Sequence, residues 1–193
     1  MTRKRIIEVV VIVLAFAVAV FAATRILERV VAPAAPAAGS APAAATTPAV
    51  PHVVATVFYG TEDGQGLASV KREVPLEQSP RAQGRQILDA ELDTPPAPYL
   101  PVIPKGTMLR AFYITDRGDA FVDLSPEIAT AHPGGSTNEL LTVYAIVNAV
   151  TANLSSVQRV QILIDGKQAD TLAGHVDLRR PFERDTSLVR ETK

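Results

Sequence analysis

The sequence predicts an α+β domain, a mixed and mainly antiparallel sheet of about four to six strands with two helices packed on it, preceded by one N-terminal transmembrane helix. Three observations lead there. Short β-branched and aromatic runs recur between turn residues, two segments carry helix-start signals with apolar spacing, and one long oily run opens the chain.

The oily run comes first. Arg3, Lys4 and Arg5 precede an apolar stretch from Ile6 to Ala23, interrupted only by Glu8. About 18 residues at helical rise span roughly 27 Å, close to the hydrocarbon thickness of a bilayer. Ile6, Ile7, Val9, Val10, Val11, Ile12, Val13, Leu14, Phe16, Val18, Val20 and Phe21 are the expected membrane-facing side chains. Glu8 falls near the headgroups, where a carboxylate costs less than at mid-membrane. Three cations before the run, against Arg25 just after it, orient the N-terminus to the cytoplasm and the rest outside. A cleaved signal peptide is the rival reading, with Ala17-Val18-Ala19 as its processing site. Such a cut would fall inside the apolar run, which favours an uncleaved anchor over residues 1–31. Both routes lead out of the cytoplasm.

Residues 32–51 are nearly all Ala, Pro, Ser, Thr or Gly, a composition with nothing to bury and a preference for extended polyproline geometry. They read as a linker, either a spacer of defined reach or a simple connector.

A domain is expected over residues 52–182. Val53 to Tyr59 forms a strand ended by Gly60, and Leu67 to Val74 a second one stopped by Pro75. Ser79-Pro80 supplies an N-cap and a first-turn proline for a helix presenting Ile87, Leu88 and Leu92. Gly84 should weaken that helix by roughly 1 kcal/mol relative to alanine. Met108 to Thr115 and Ala120 to Leu124 pair across the Asp116-Arg117-Gly118-Asp119 turn. Ser136 with Glu139 reads as a capping box opening a helix with Leu140, Val143, Tyr144, Val147 and Val150 at helical spacing. Val157 to Ile164 is a strand, Asp165-Gly166 a turn, and Gln168 to Leu172 a short return strand. Residues 183–193 read as a charged, frayed tail.

Bulk composition narrows the function classes. The 193 residues carry 19 Lys+Arg against 20 Asp+Glu, which argues against a nucleic-acid binder. Cysteine is absent, so disulfides, thiolate chemistry and a lipidated cysteine are excluded for these residues. No phosphate loop, dinucleotide turn, His-Glu-x-x-His or nucleophile elbow is present. His175 and Asp177 alternate on an extended segment, but a catalytic zinc takes three protein ligands and no third is placed, so no metal is expected. Ser125 before Pro126 reads as a strand stop rather than a nucleophile. Gly134-Gly135-Ser136 could hold an anion at a helix start, although the capping box would use those donors. No cofactor or catalytic residue follows from the residues.

The ordered set Ile103-Pro104-Lys105-Gly106-Thr107, Val122-Asp123-Leu124-Ser125, Gly134-Gly135-Ser136, the helix around Leu141 to Asn148, Val157 to Ile164 with Asp165-Gly166, and Gly174-His175-Val176-Asp177-Leu178 resembles the GerMN domain, a family named for sporulation and germination proteins. One departure stands after the first helix, where Asp93-Thr94-Pro95 replaces the Gly-Pro common in the family. The resemblance implies an extracytoplasmic, non-enzymatic α+β module of envelope or spore-associated assemblies. Its motif residues here are Gly106, Asp123, Ser125, Gly134, Gly135, Ser136, Asp165, Gly166 and His175. The resulting expectation is a one-span, membrane-anchored interaction domain with an envelope protein partner. The alternatives are a peptidoglycan-binding accessory to a wall hydrolase and a secreted form released by signal cleavage.

Overall fold

The computed structural model describes residues 51–190. The expected anchor (1–31), nearly all of the linker and the last three residues lie outside the described residues. Among the described residues, no helix is long and apolar enough to cross a membrane.

Two sheets form instead of one. Strands β1 (His52–Gly60) and β2 (Leu67–Pro75) make an unbroken antiparallel hairpin, from His52 opposite Pro75 to Gly60 opposite Leu67. The second sheet has the order β3-β4-β5-β6, with β3 at Leu109–Ile114, β4 at Asp119–Leu124, β5 at Arg159–Ile164 and β6 at Phe182–Glu183. β3 and β4 are antiparallel with a register shift between Leu109 and Ala111, whereas β4 and β5 run parallel and in step. Parallel neighbours need a long crossover. It is supplied by the one-turn helix α2 (Glu127–Thr130) and the long helix α3 (Ser136–Asn153).

The first helix, α1 (Pro80–Leu92), begins as its sequence dictates. The Ser79 side chain accepts from Ala82 N at 3.2 Å, and proline occupies the first turn. α1 and α3 touch each other and touch strands of both sheets, so the helices form the joint around which the sheets close. α3 therefore buries most of its circumference, including Val143, Ile146, Val147 and Val150. The close approach of α1 rests on Gly84, because a Cβ there would lie 2.1 Å from Cε1 of the fully buried Phe112 on β3.

Three local expectations are corrected. Ser136 is not an N-cap: Gly135 holds that position at φ 91°, and no side chain caps the helix. Ser136 thus stands one residue inside the helix, and Glu139 is free to turn elsewhere. Gln168 to Leu172 does not form a return strand; single bridges join Ile164 to Lys167 and Thr171 to Asp177. The edge of β5 is taken instead by β6, while the Gln161 side chain donates to Leu178 O at 2.6 Å and fixes the intervening loop. The tail is also tied down through residue 190. Strand β7 (Val189–Arg190) pairs parallel with Leu67 and Ala68, and Leu188 and Val189 pack on the core. Their apolar side chains outweigh the charged neighbours that suggested fraying.

Candidate functional site

The outer edge of β1 turns the N–H groups of Thr56, Phe58 and Gly60 away from β2. An exposed edge of this kind would leave backbone groups unpaired. Among the described residues no strand covers it; three different devices do. Asn153, the last residue of α3, accepts from Thr56 N at 2.8 Å and donates to Thr56 O at 2.7 Å, imitating a neighbouring strand. Glu91, near the end of α1, accepts from Phe58 N through Oε2 at 2.8 Å. Gly60 and Leu100 exchange both backbone bonds, at 2.8 and 2.9 Å. A Cβ on Gly60 would lie 3.0 Å from Val102 Cγ1 and 3.1 Å from Leu100 O, so glycine allows this approach.

From Leu100 the chain crosses the surface as a rib, Pro101 to Lys105, which holds the first half of the family motif. Its midpoint is pinned to α3, since the Thr142 hydroxyl donates to Val102 O at 2.5 Å. Gly134 N donates to His132 Nδ1 at 2.9 Å, which places the ring proton on Nε2, 3.0 Å from Thr142 Oγ1. Burial lowers the pKa of His132, keeping this ring neutral.

A cavity opens on each side of the rib. The first, about 220 Å³, is bounded by Tyr59, Glu91, Leu92, Pro95, Val102 and Ile103, with Lys105 and Gly106 at one end. The second, about 260 Å³, lies against Gly60, Leu100, Pro104, Pro133, Asn138 and Leu141. Both are mainly apolar. Burial pushes the Glu91 carboxyl well above the usual carboxylate range, outweighing the Phe58 N–H that favours the charged form. Tyr59 donates to Ala90 O at 3.0 Å and accepts from Arg72, which also pairs with Asp93 at 3.1 Å.

The other motif residues gather in two further places. At the C-terminal end of β4, the buried Asp123 accepts from Gly166 N at 2.7 Å, and from Arg110 Nε at 3.4 Å. Arg110 also pairs with Asp165 at 2.9 Å, and Asp165 sits at φ 52°. Ser125 Oγ accepts from Met108 N at 2.9 Å. In the second place, Glu139 of α3 is fully buried. It accepts from the His175 ring at 2.7 Å and from the N–H groups of His175 and Val176 at 3.1 and 2.9 Å. Asp177 engages Arg179 rather than His175. Gly134 and Gly135, both at positive φ, lead into α3 and leave Asn138 at the second cavity. Among the described residues, no group of three His, Asp or Glu side chains could hold a metal ion.

Sequence reasoning missed Glu91, Thr142 and Asn153, and gave Glu139 a capping role in place of its contacts to His175 and Val176. Each is a polar residue inside a helix, and Glu91 stands three and four positions beyond the apolar Leu88 and Ile87. A carboxylate on an apolar stripe is the signal that could have found it.

Two small sheets closed around two helices, with a motif-bearing rib between two cavities, define a small α+β module. The family model described as "Sporulation and spore germination" (Germane) matches residues 56–170, and the chain belongs to that family. That span runs from β1 past β5 and contains the rib; His175 lies just beyond it. A Clostridium perfringens protein described as a putative lipoprotein has a similar crystal structure, at 25% identity and TM-score 0.51, over 72% of this chain and 91% of that one. The first GerMN domain of the sporulation protein GerM from Bacillus subtilis is similar in fold, at 21% identity and TM-score 0.51, over 69% and 96% of the two chains. The tandem GerMN domains of the same protein give 18% identity and TM-score 0.52, over 70% of this chain and 46% of that one. No curated protein matches the chain.

Proposed function

We propose that this protein is a non-enzymatic interaction module of the cell envelope, held at the outer face of the inner membrane and bound there to another envelope protein. Residues 1–31 anchor it by one span with the N-terminus in the cytoplasm, residues 32–51 tether it, and the folded domain lies outside. The observation that carries this reading is the rib, which sets the family's own residues Ile103, Pro104 and Lys105 between two apolar recesses. Recesses of this kind receive side chains from a partner and hold them away from water. The lipoprotein description of one structural neighbour, and the sporulation role of the other, support an envelope setting.

The test is capture from crosslinked membranes with the full-length chain. Recovery of an envelope protein, reduced at least tenfold by Ile103→Asp, is the expected result. An intact chain found among soluble cytosolic proteins, or no envelope protein recovered, would overturn the reading. Direct binding to isolated peptidoglycan with no protein captured would transfer it to a glycan-binding accessory. N-terminal sequencing that begins after residue 19 would replace the anchor with a secreted form.

A further inference from the structure

The fold closes its strand edges unequally. Three devices cover the outer edge of β1, and on β3 the Arg81 side chain donates to Phe112 O at 3.0 Å. The outer edge of β2 receives less. β7 pairs with it only at Leu67 and Ala68. Further along, Lys71 stands opposite Thr56 and Glu73 opposite Val54. Residues opposite one another in an antiparallel pair turn their backbone groups either towards each other or both away. Thr56 turns outward, so Lys71 and Glu73 do too. Both are exposed, and among the described residues their N–H and C=O groups meet no other segment of the chain. An uncovered edge of this kind is a template for another strand.

We infer that the outer edge of β2, from Lys71 to Glu73, pairs antiparallel with the same edge of a second copy of this chain, Lys71 of each copy opposite Glu73 of the other. Backbone groups alone would accept any strand; the side chains select a copy. Turned about a two-fold axis at Arg72, the edge presents its own charges in reverse order, so two directly opposed pairs of opposite charge form. Lys71 and Glu73 of the other copy then exchange both backbone bonds, because both face outward. Moving the axis by one residue would set Lys71 against Lys71 or Glu73 against Glu73, so the charges also fix the register.

Neighbouring contacts are compatible with this pairing. Like charges meet on the axis at Arg72, but each guanidinium already donates to Asp93 at 3.1 Å and to the Tyr59 hydroxyl at 3.2 Å. Lys71 spends one donor on Thr56 Oγ1 at 2.7 Å, and an ammonium has three. Pro75 ends the ladder, since it lacks an N–H and its carbonyl accepts from Gln83 at 3.1 Å. The pairing is thus short, and the dimer it makes is weak.

The test is disulfide trapping in the full-length chain, whose own sequence has no cysteine. Arg72→Cys sits on the axis, where opposed Cα atoms lie about 4.5 Å apart, inside the range that a disulfide spans. Ser69→Cys would lie roughly 20 Å from its counterpart. Under mild oxidation Arg72→Cys should form a covalent dimer at least tenfold faster than Ser69→Cys. Adding Lys71→Glu should slow trapping at least tenfold, and adding Glu73→Lys to that should restore it to within threefold. Arg72→Cys gives up the Asp93 and Tyr59 contacts, so a mixture of Lys71→Cys and Glu73→Cys chains is the second measurement. The two should join each other at least tenfold faster than either joins itself. Equal rates at Ser69 and Arg72 would mean random collision and would sink the inference. An unchanged rate with Lys71→Glu would overturn the charge pairing that selects a copy. Trapping only after residues 191–193 are removed would give the edge to the chain's own end, and would overturn it as well.

Discussion

Gly84→Ala separates what helix propensity demands from what packing allows. In an exposed helix interior the change should stabilise by about 1 kcal/mol, through a smaller entropy loss on folding. Gly84 is buried against β3, however. The added Cβ would lie 2.1 Å from Phe112 Cε1 and 2.8 Å from both Cδ1 and Cζ, where carbon atoms normally rest about 3.5–4.0 Å apart. Phe112 is fully buried, so either its ring leaves its rotamer or α1 lifts from β3. Overpacking of this kind costs about 1–3 kcal/mol, and a contact this short belongs at or beyond the upper end. The net expectation is a loss of about 2 kcal/mol, or a fall in midpoint of about 4–8 °C in a domain of this size. Thermal unfolding followed by circular dichroism measures it. Phe112→Leu removes the offending ring atoms, so the double variant should recover more than 1 kcal/mol relative to the sum of the single changes. A raised midpoint for Gly84→Ala, or strict additivity with Phe112→Leu, would refute the packing account.

Asn153→Ala should cost about 2 kcal/mol by stripping both partners from Thr56, and hydrogen exchange at the Thr56 amide should accelerate accordingly. Glu139 supplies a pH dependence: burial alone would raise its pKa, but the Val176 N–H, the His175 ring and the N–H groups of Ala173 and His175 bring it down to about 2. Its contribution is therefore complete above the ordinary value of 4.5 and disappears as pH falls from there towards 2. Glu139→Gln should lower stability at pH 7 and flatten the acid limb of the midpoint-against-pH curve; an unchanged acid limb would deny the carboxylate that role. Asp123→Ala should speed exchange at the Gly166 amide at least tenfold, since that amide donates to Asp123 Oδ1. Truncation after Asp185 removes β7 with Leu188 and Val189, and should cost about 2 kcal/mol in denaturant unfolding, an effect that a frayed tail would not show.

Local structure was legible wherever it depended on nearest neighbours. Ser79-Pro80 opens α1 as expected, and the β-branched and aromatic run from Val53 to Tyr59 produces β1. The same holds for Asp116 to Asp119, which turns β3 into β4. What could not be read was which strand edges meet. β5 has two candidate partners downstream, and the choice of Phe182–Glu183 over Gln168 to Leu172 depends on side chains such as Gln161 that bond across the fold. The capping-box reading failed for a related reason. Ser136 and Glu139 have the right spacing, but the loop at Ala173 to Val176 offers Glu139 better donors than its own helix start does. A short-range rule loses whenever a distant segment supplies a stronger partner.

That competition also explains where the candidate site lies. Among the described residues β1 has no strand on its outer side, and each way of closing that edge brings a different part of the chain onto it: the end of α3 at Thr56, the end of α1 at Phe58, and the start of the rib at Gly60. A strand beyond β1 would have given a flat, continuous edge. Closure by side chains and a single backbone contact leaves gaps between the devices, and the first cavity is the gap between Glu91 and the rib. The pocket is thus a consequence of how the sheet ends. This makes Glu91 the residue that closes the edge from within, one oxygen holding the strand and the other buried without a partner among the described residues.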